Sequence, residues 1–420
     1  MLLGGKGHIK EMLQYIKNVD HIVEFFSFGA CMVLIFMLPI SIAAVETTTV
    51  VLMVTFVIGL FSPKYRGKYA NFLCSKEALF LLLFYLSLTM SFFSSGNLLG
   101  KSIEAWLLKW GEGIFLFCAA PLFLSRRKTQ FLLFIFVIST LLVCVDGLSQ
   151  KFLGFEFLRR HHLILTRNGV HGKVAKGICA SLRHFNMFAA YLITSFFILV
   201  TTYMKHEKSR WAVFFIFIIG MLLTCLYFTY SRGAWLAFFL TNVIFLFSTR
   251  NKYVHWIVWG GIVLLIVPML IMPLTQQRII LSGDNGRIGL WIKSLAALKQ
   301  FPLQGFGLGL YMDFMGKNPA IGAQYAHNSY IQLLFETGIV GLTAFLWFLF
   351  YFFYQAFSYI RKSKDVLTKG ICFGLLAFLV HAFFENHFFT VQLSILFWVL
   401  AGMVMGNMYE ERTNEKAHSI

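Results

Sequence analysis

Apolar stretches of about twenty residues, each long enough to cross a bilayer as a helix, recur along the whole chain between short polar breaks. They fall near 22–44, 47–62, 78–95, 106–124, 130–147, 185–204, 211–229, 233–248, 253–272, 338–358, 369–385 and 390–408. The pattern predicts an all-α polytopic membrane protein of about twelve transmembrane helices, with residues 1–420 forming one membrane domain. Segments 47–62 and 233–248 are the shortest. Two long polar connections interrupt the series, 148–184 and 273–337.

The second connection predicts helices of its own. After Asp284-Asn285, a plausible N-cap, the run "GRIGLWIKSLAALKQF" places Ile288, Trp291, Ile292, Leu295 and Leu298 on one face. Such a stripe suits a helix lying along the bilayer surface, and Pro302 ends it. Arg287 falls in its first turn, where the helix dipole favours an anion. A glycine-rich "GFGLG" follows, and a second helix begins near Ala326 or His327 and runs toward the tenth span.

Composition agrees: 58% of residues are apolar and 13% charged, against about a quarter charged in soluble chains. The net charge of +18 follows no stripe on a soluble fold, which excludes a nucleic-acid partner and points to membrane lipids. Five short loops of one parity hold sixteen basic residues: Lys64 to Lys76, Arg126 to Lys128, Lys205 to Arg210, Arg250 with Lys252, and Arg361 to Lys369. Short loops of the other parity supply only Lys101 and Arg232. The positive-inside rule therefore puts both termini in the cytoplasm and both long connections outside. Those connections are basic against the rule, which suggests an anionic partner on that side. The first apolar run is too long for a cleaved signal, so an uncleaved anchor is expected. Seven scattered cysteines with no CxxC pair read as core residues.

On the outer face, polar interruptions carry Arg232 in "YSRGAW", Arg287 in "GRIGLW" and His327 in "AHNSYIQLLFETGIVG". Each has a plain reading as well: an arginine at a helix end snorkels to headgroups, and a histidine at an interface caps a helix. Together, two guanidiniums that can grip phosphate oxygens and one base that titrates near neutral pH suggest chemistry on a lipid-linked anion. In "HAFFENHFF", His381 and Glu385 lie four apart on a helix near the same face. That favours a structural polar cluster, which could also bind acceptor phosphates or orient a catalytic group. "GNLLGKS" misses the phosphate-loop spacing by one residue, and "GFGLG" reads as a turn. His161, His162, His171 and His184 match no common metal spacing, and no carboxylate pair suggests a glycosidase. Neither metal nor cofactor is called for.

His327-Asn328, nine residues, Gly338, two residues and Gly341 resemble the H-[NSQ]-x9-G-x-x-[GTY] signature of bacterial O-antigen ligases. "TYSRGAW" and "GRIGLW…FPLQGFGLG" extend the resemblance over about 220–345, and "RHFNMFAAYL", with Arg183, Asn186 and Tyr191, is similar to the wider superfamily. The resemblance implies inverting, metal-independent transfer of a glycan at the periplasmic face of the inner membrane. The donor would be an undecaprenyl-pyrophosphate glycan and the acceptor a sugar hydroxyl of lipid A–core. It implies His327 as base and Arg232 and Arg287 as pyrophosphate ligands. Arg183, Asn186, Tyr230, Asn328, His381 and Glu385 stand as secondary site candidates. A polysaccharide polymerase using the same donor stays open. So does a transporter or flippase of lipid-linked glycans, although its charges would be expected in mid-span.

Overall fold

The computed structural model describes residues 5–158, 161–162, 177–182, 184–271, 287–316 and 325–418. The first helices are α1 (Gly5–Met37), α2 (Ile42–Gly59), α3 (Pro63–Leu73), α4 (Lys76–Thr89) and α5 (Leu99–Glu104). A π-helical stretch, Ala105–Gly111, joins α5 to α6 (Glu112–Phe123), followed by α7 (Arg126–Phe152), α8 (Phe185–His206), α9 (Trp211–Phe228), α10 (Arg232–Phe247) and α11 (Lys252–Ile271). The remainder are α12 (Arg287–Leu298), α13 (Tyr311–Met315), α14 (Ser329–Ser363), α15 (Val366–His381) and α16 (Val391–His418). Beyond α7, Phe155–Glu156 pairs antiparallel with His161–His162, a ribbon the apolar pattern did not foretell.

The protein is an all-α polytopic membrane protein. Among the described residues nine helices are long and apolar enough to cross a membrane. Shorter apolar helices, Arg232–Phe247, Lys252–Leu265 and Val366–His381, occupy the other three expected positions. Boundaries moved most at α1, which begins at Gly5, and at α14, which absorbs both the second loop helix and the tenth span. Serines at the polar breaks explain many of the starts. Ser41, Ser62, Ser75 and Ser125 each accept a hydrogen bond from a backbone N–H of the first turn, and Pro63 follows Ser62 where its missing N–H costs nothing.

Within a bilayer, helices associate through close packing more than through water exclusion, so small residues mark the contacts. Gly370 and Gly374 on α15 let that helix settle against Thr201 and the Thr194 carbonyl of α8; a methyl group at either position would collide. α8 and α16 form the centre of the bundle, with 89% and 94% of the residues in their most apolar stretches buried, while α2 and α9 keep broad apolar faces exposed. The basic loops of one parity converge at one end. There Lys128 pairs with Glu24 at 2.6 Å, Arg126 with Asp365 at 3.4 Å, and Lys205 donates to Gln130 at 2.9 Å.

Candidate active site

At the opposite end the start of α14 is fastened to the turn between α15 and α16. Asn328 is extended and caps α14, accepting from Tyr330 and Ile331 N–H groups at 3.0 and 3.1 Å. Its own N–H donates to Asn386 Oδ1 at 2.9 Å, and Asn386 Nδ2 donates to Gln332 Oε1 at 2.7 Å. Ser329 donates through its N–H to the Ala382 carbonyl and through its hydroxyl to the Glu385 carbonyl, both at 2.8 Å, and accepts from His387 N–H at 2.9 Å. Most buried polar groups here satisfy one another, which fixes register as well as energy, although among the described residues the His387 ring nitrogens and His381 Nδ1 find no partner. His327 sits just ahead of this zipper with a left-handed backbone, φ 50°. A non-glycine residue held there costs of order 1–3 kcal/mol and persists only where its surroundings impose it.

That posture aims the imidazole at Glu385. His327 Nδ1 lies 2.5 Å from Glu385 Oε1; the histidine side chain is 37% exposed and the carboxylate 10%. Arg287 donates from Nη1 to the Phe384 carbonyl at 2.6 Å and reaches Glu385 Oε2 from Nη2 at 3.5 Å. Asn186 Nδ2 donates to the same Oε2, and Ser231 Oγ donates to Asn186 Oδ1 at 2.7 Å. Burial pushes the Glu385 carboxyl up, but the His327 hydrogen bond and the charges of His327 and Arg287 outweigh it and lower it to about 2. The ionised carboxylate can only accept, so in the neutral imidazole the proton sits on Nδ1 and Nε2 keeps its lone pair.

Arg232, the first residue of α10, is half-buried, and among the described residues it makes no hydrogen bond or ion pair. Its helix nevertheless abuts the cluster: a methyl group on Gly233 would lie 2.8 Å from Phe384 Cβ and 3.4 Å from His381 Cδ2. Ser231, one residue earlier, is tied to Glu385 through Asn186. His327 and Arg287 thus meet at Glu385, while Arg232 adjoins that turn through its neighbours Ser231 and Gly233.

α12 is placed by a second small core of Leu290, Phe306, Tyr311, Met315, Ala326 and Phe335. Trp291 Nε1 donates to the Ala326 carbonyl at 2.8 Å, one residue from His327. The "GFGLG" segment is a turn, as expected: Gly305, Gly307 and Gly309 all have positive φ. Phe306 N–H and Gly307 N–H donate to the Phe335 and Glu336 carbonyls at 2.9 and 3.0 Å. Those carbonyls border Gly338, whose φ of 67° kinks α14 and whose missing side chain admits Leu303. The signature glycine thus has a packing reason. Ile288, Ile292 and Leu295 form an exposed apolar stripe on α12, while Leu290 and Ser294 face inward.

The other candidates divide. Glu385 and Asn186 belong to the hydrogen-bonded centre. Asn328 is a cap. His381 is buried behind the turn, its ring 4.6 Å from that of His387. Tyr191 is a core residue sharing a hydrogen bond with Thr140 at 2.9 Å. Tyr230 forms the left-handed corner, φ 53°, that leads into Arg232. Arg183 and the Asp284-Asn285 cap lie outside the described residues. Sequence reasoning missed Ser329 and Gln332, whose only signal was their place beside His327 on a polar helix start.

Fold and site together define a multi-pass helical membrane protein whose bundle end carries a carboxylate–histidine pair with arginines on the adjoining helices. Residues 216–346 match the family described as O-antigen ligase, a segment that holds Arg232, Arg287 and His327. A curated relative, the ComP-specific O-oligosaccharyltransferase of Acinetobacter baylyi, is 24% identical over 243 residues, covering 54% of this chain and 43% of the relative. The match therefore spans less than half the relative's length. The family resemblance drawn from the sequence is borne out over this segment. Asn186 and Glu385 lie beyond it.

Proposed function

We propose that this protein is a bacterial inner-membrane glycosyltransferase. It moves a glycan from undecaprenyl-pyrophosphate to a sugar hydroxyl of lipid A–core on the periplasmic side. The observation that carries this reading is the His327–Glu385 pair at 2.5 Å, with no partner on Nε2 among the described residues. The acceptor hydroxyl gives its proton to Nε2 as its oxygen attacks the anomeric carbon. The bond from that carbon to the pyrophosphate oxygen breaks on the opposite face, inverting the centre. Glu385 stabilises the imidazolium that forms. Pyrophosphate leaves as an anion and needs no proton, only positive charge, which Arg232 and the remaining N–H groups of Arg287 supply. Each such donor is worth about 10²–10³ in rate. The scheme requires no metal, so added chelator should leave transfer unchanged.

The relative's name favours a second reading, in which the hydroxyl belongs to a partner other than lipid A–core. A polymerase would use another lipid-linked glycan. The chemistry at His327 is the same in each case. Purified protein mixed with undecaprenyl-linked glycan and rough lipopolysaccharide should yield glycosylated lipid A–core. Product only with a different acceptor would replace the ligase assignment, and no product with any acceptor would favour a transporter.

A further inference from the structure

Lys151 lies in the last turn of α7, half-exposed, with its ammonium over the Phe228 ring at 4.8 Å and the Tyr230 ring at 5.7 Å. Those rings belong to the end of α9 and to the left-handed corner two residues before Arg232. The lysine is therefore steered by aromatic faces onto the corner that opens α10. Of the carboxylates close to it in sequence, Glu156 accepts from Gln150 Nε2 at 2.8 Å, and Asp146 Oδ1 accepts from Leu158 N–H at 3.1 Å. Among the described residues neither Lys151 nor Arg232 makes an ion pair or hydrogen bond. Arg287 differs, since two of its nitrogens already serve the Phe384 carbonyl and Glu385. A cation held by rings keeps its net charge, whereas one beside a carboxylate has much of its field cancelled.

We infer that Lys151 and Arg232 form a two-cation subsite that takes the pyrophosphate of the lipid-linked donor, with Arg287 chiefly holding the Glu385 turn. The donor's identity rests on the function proposed above; the anion site does not. Lys151→Met keeps an apolar stem over Phe228 and removes the charge, and Lys151→Arg restores it. With the purified full-length protein, binding of inorganic pyrophosphate should weaken about tenfold in Lys151→Met and stay within about threefold of wild type in Lys151→Arg, as expected for a charge-assisted contact. kcat/KM for the lipid-linked donor should fall at least about tenfold in Lys151→Met and recover to within about threefold in Lys151→Arg. Wild-type pyrophosphate affinity in Lys151→Met overturns the inference, and so does a loss of transfer that Lys151→Arg leaves unrestored, which would mark a merely structural lysine. Charge-dependent pyrophosphate binding in a protein that transfers no glycan would instead sink the donor reading and leave the anion site standing.

Discussion

The two ends of the bundle both carry charge, and they use it differently. At the end where the basic loops converge, several charges on the helix ends close on one another. Arg126 meets Asp365, which also caps α15 by accepting from Leu367 and Thr368 N–H groups at 3.1 and 3.2 Å. Glu410 accepts from Arg126 N–H at 2.5 Å, and Arg412 pairs with Glu77 at 2.8 Å. At the other end Lys101 pairs with Asp313 at 2.7 Å, but among the described residues Arg232 and Lys151 pair with no carboxylate, His327 is partly exposed, and Tyr230 and His327 both hold left-handed backbones. Pairing that ends in a cap serves the fold. On the function proposed above, the charge at this end, beside a strained histidine, serves a substrate that arrives from outside.

Substitutions should separate the ends. The largest effect is expected at His327→Ala, with transfer falling about 10²–10⁴-fold while yield and detergent-extracted monodispersity stay at wild-type levels. Near-normal transfer by such a folded variant would remove the base from the scheme. Arg232→Ala should cost about 10²–10³, and lysine should rescue only in part because it lacks the planar fork; full rescue would argue against two-point phosphate recognition.

Glu385→Gln comes next and should lower both kcat and thermal stability. Its folded-state carboxyl titrates at about 2 against an ordinary 4.5, so its charge stabilises fully above that ordinary value. The contribution is lost as pH falls toward 2. The melting-temperature gap between wild type and Glu385→Gln should be constant from neutral pH down to about pH 5 and narrow below it. A gap indifferent to acid would show that charge is not what holds the turn. The smallest effect belongs to the other end. Arg126→Ala, whose partner geometry is long and half-exposed, should cost under about 1 kcal/mol and leave transfer within about twofold. A large loss of activity there would erase the contrast between the ends.

Periodicity, charge parity and a few special residues made much of this legible without coordinates. Twenty-residue apolar runs admit one solution in lipid, because helices satisfy their own backbone groups; hence the bundle and the positions of its helices could be read directly. Serine and proline at the breaks marked helix starts for local reasons. His327 and the two arginines stood out because polar groups are costly in so apolar a chain. What remained hidden depends on long-range contact. Glu385 lies 58 residues from His327 and Asn186 lies 199 from Glu385, and nothing in local spacing says that they share hydrogen bonds.

The amino-acid order alone thus determined the helical membrane architecture and the chemical types available at its polar breaks, since both follow from the solvent and from local backbone rules. Only the tertiary structure decided that a carboxylate read as a structural cluster holds the histidine. It also decided that Arg287 meets a carboxylate while, among the described residues, Arg232 and Lys151 meet none. Partnering between side chains is set by which helices pack together, and packing in a bilayer depends on shape complementarity that no single stretch of chain contains.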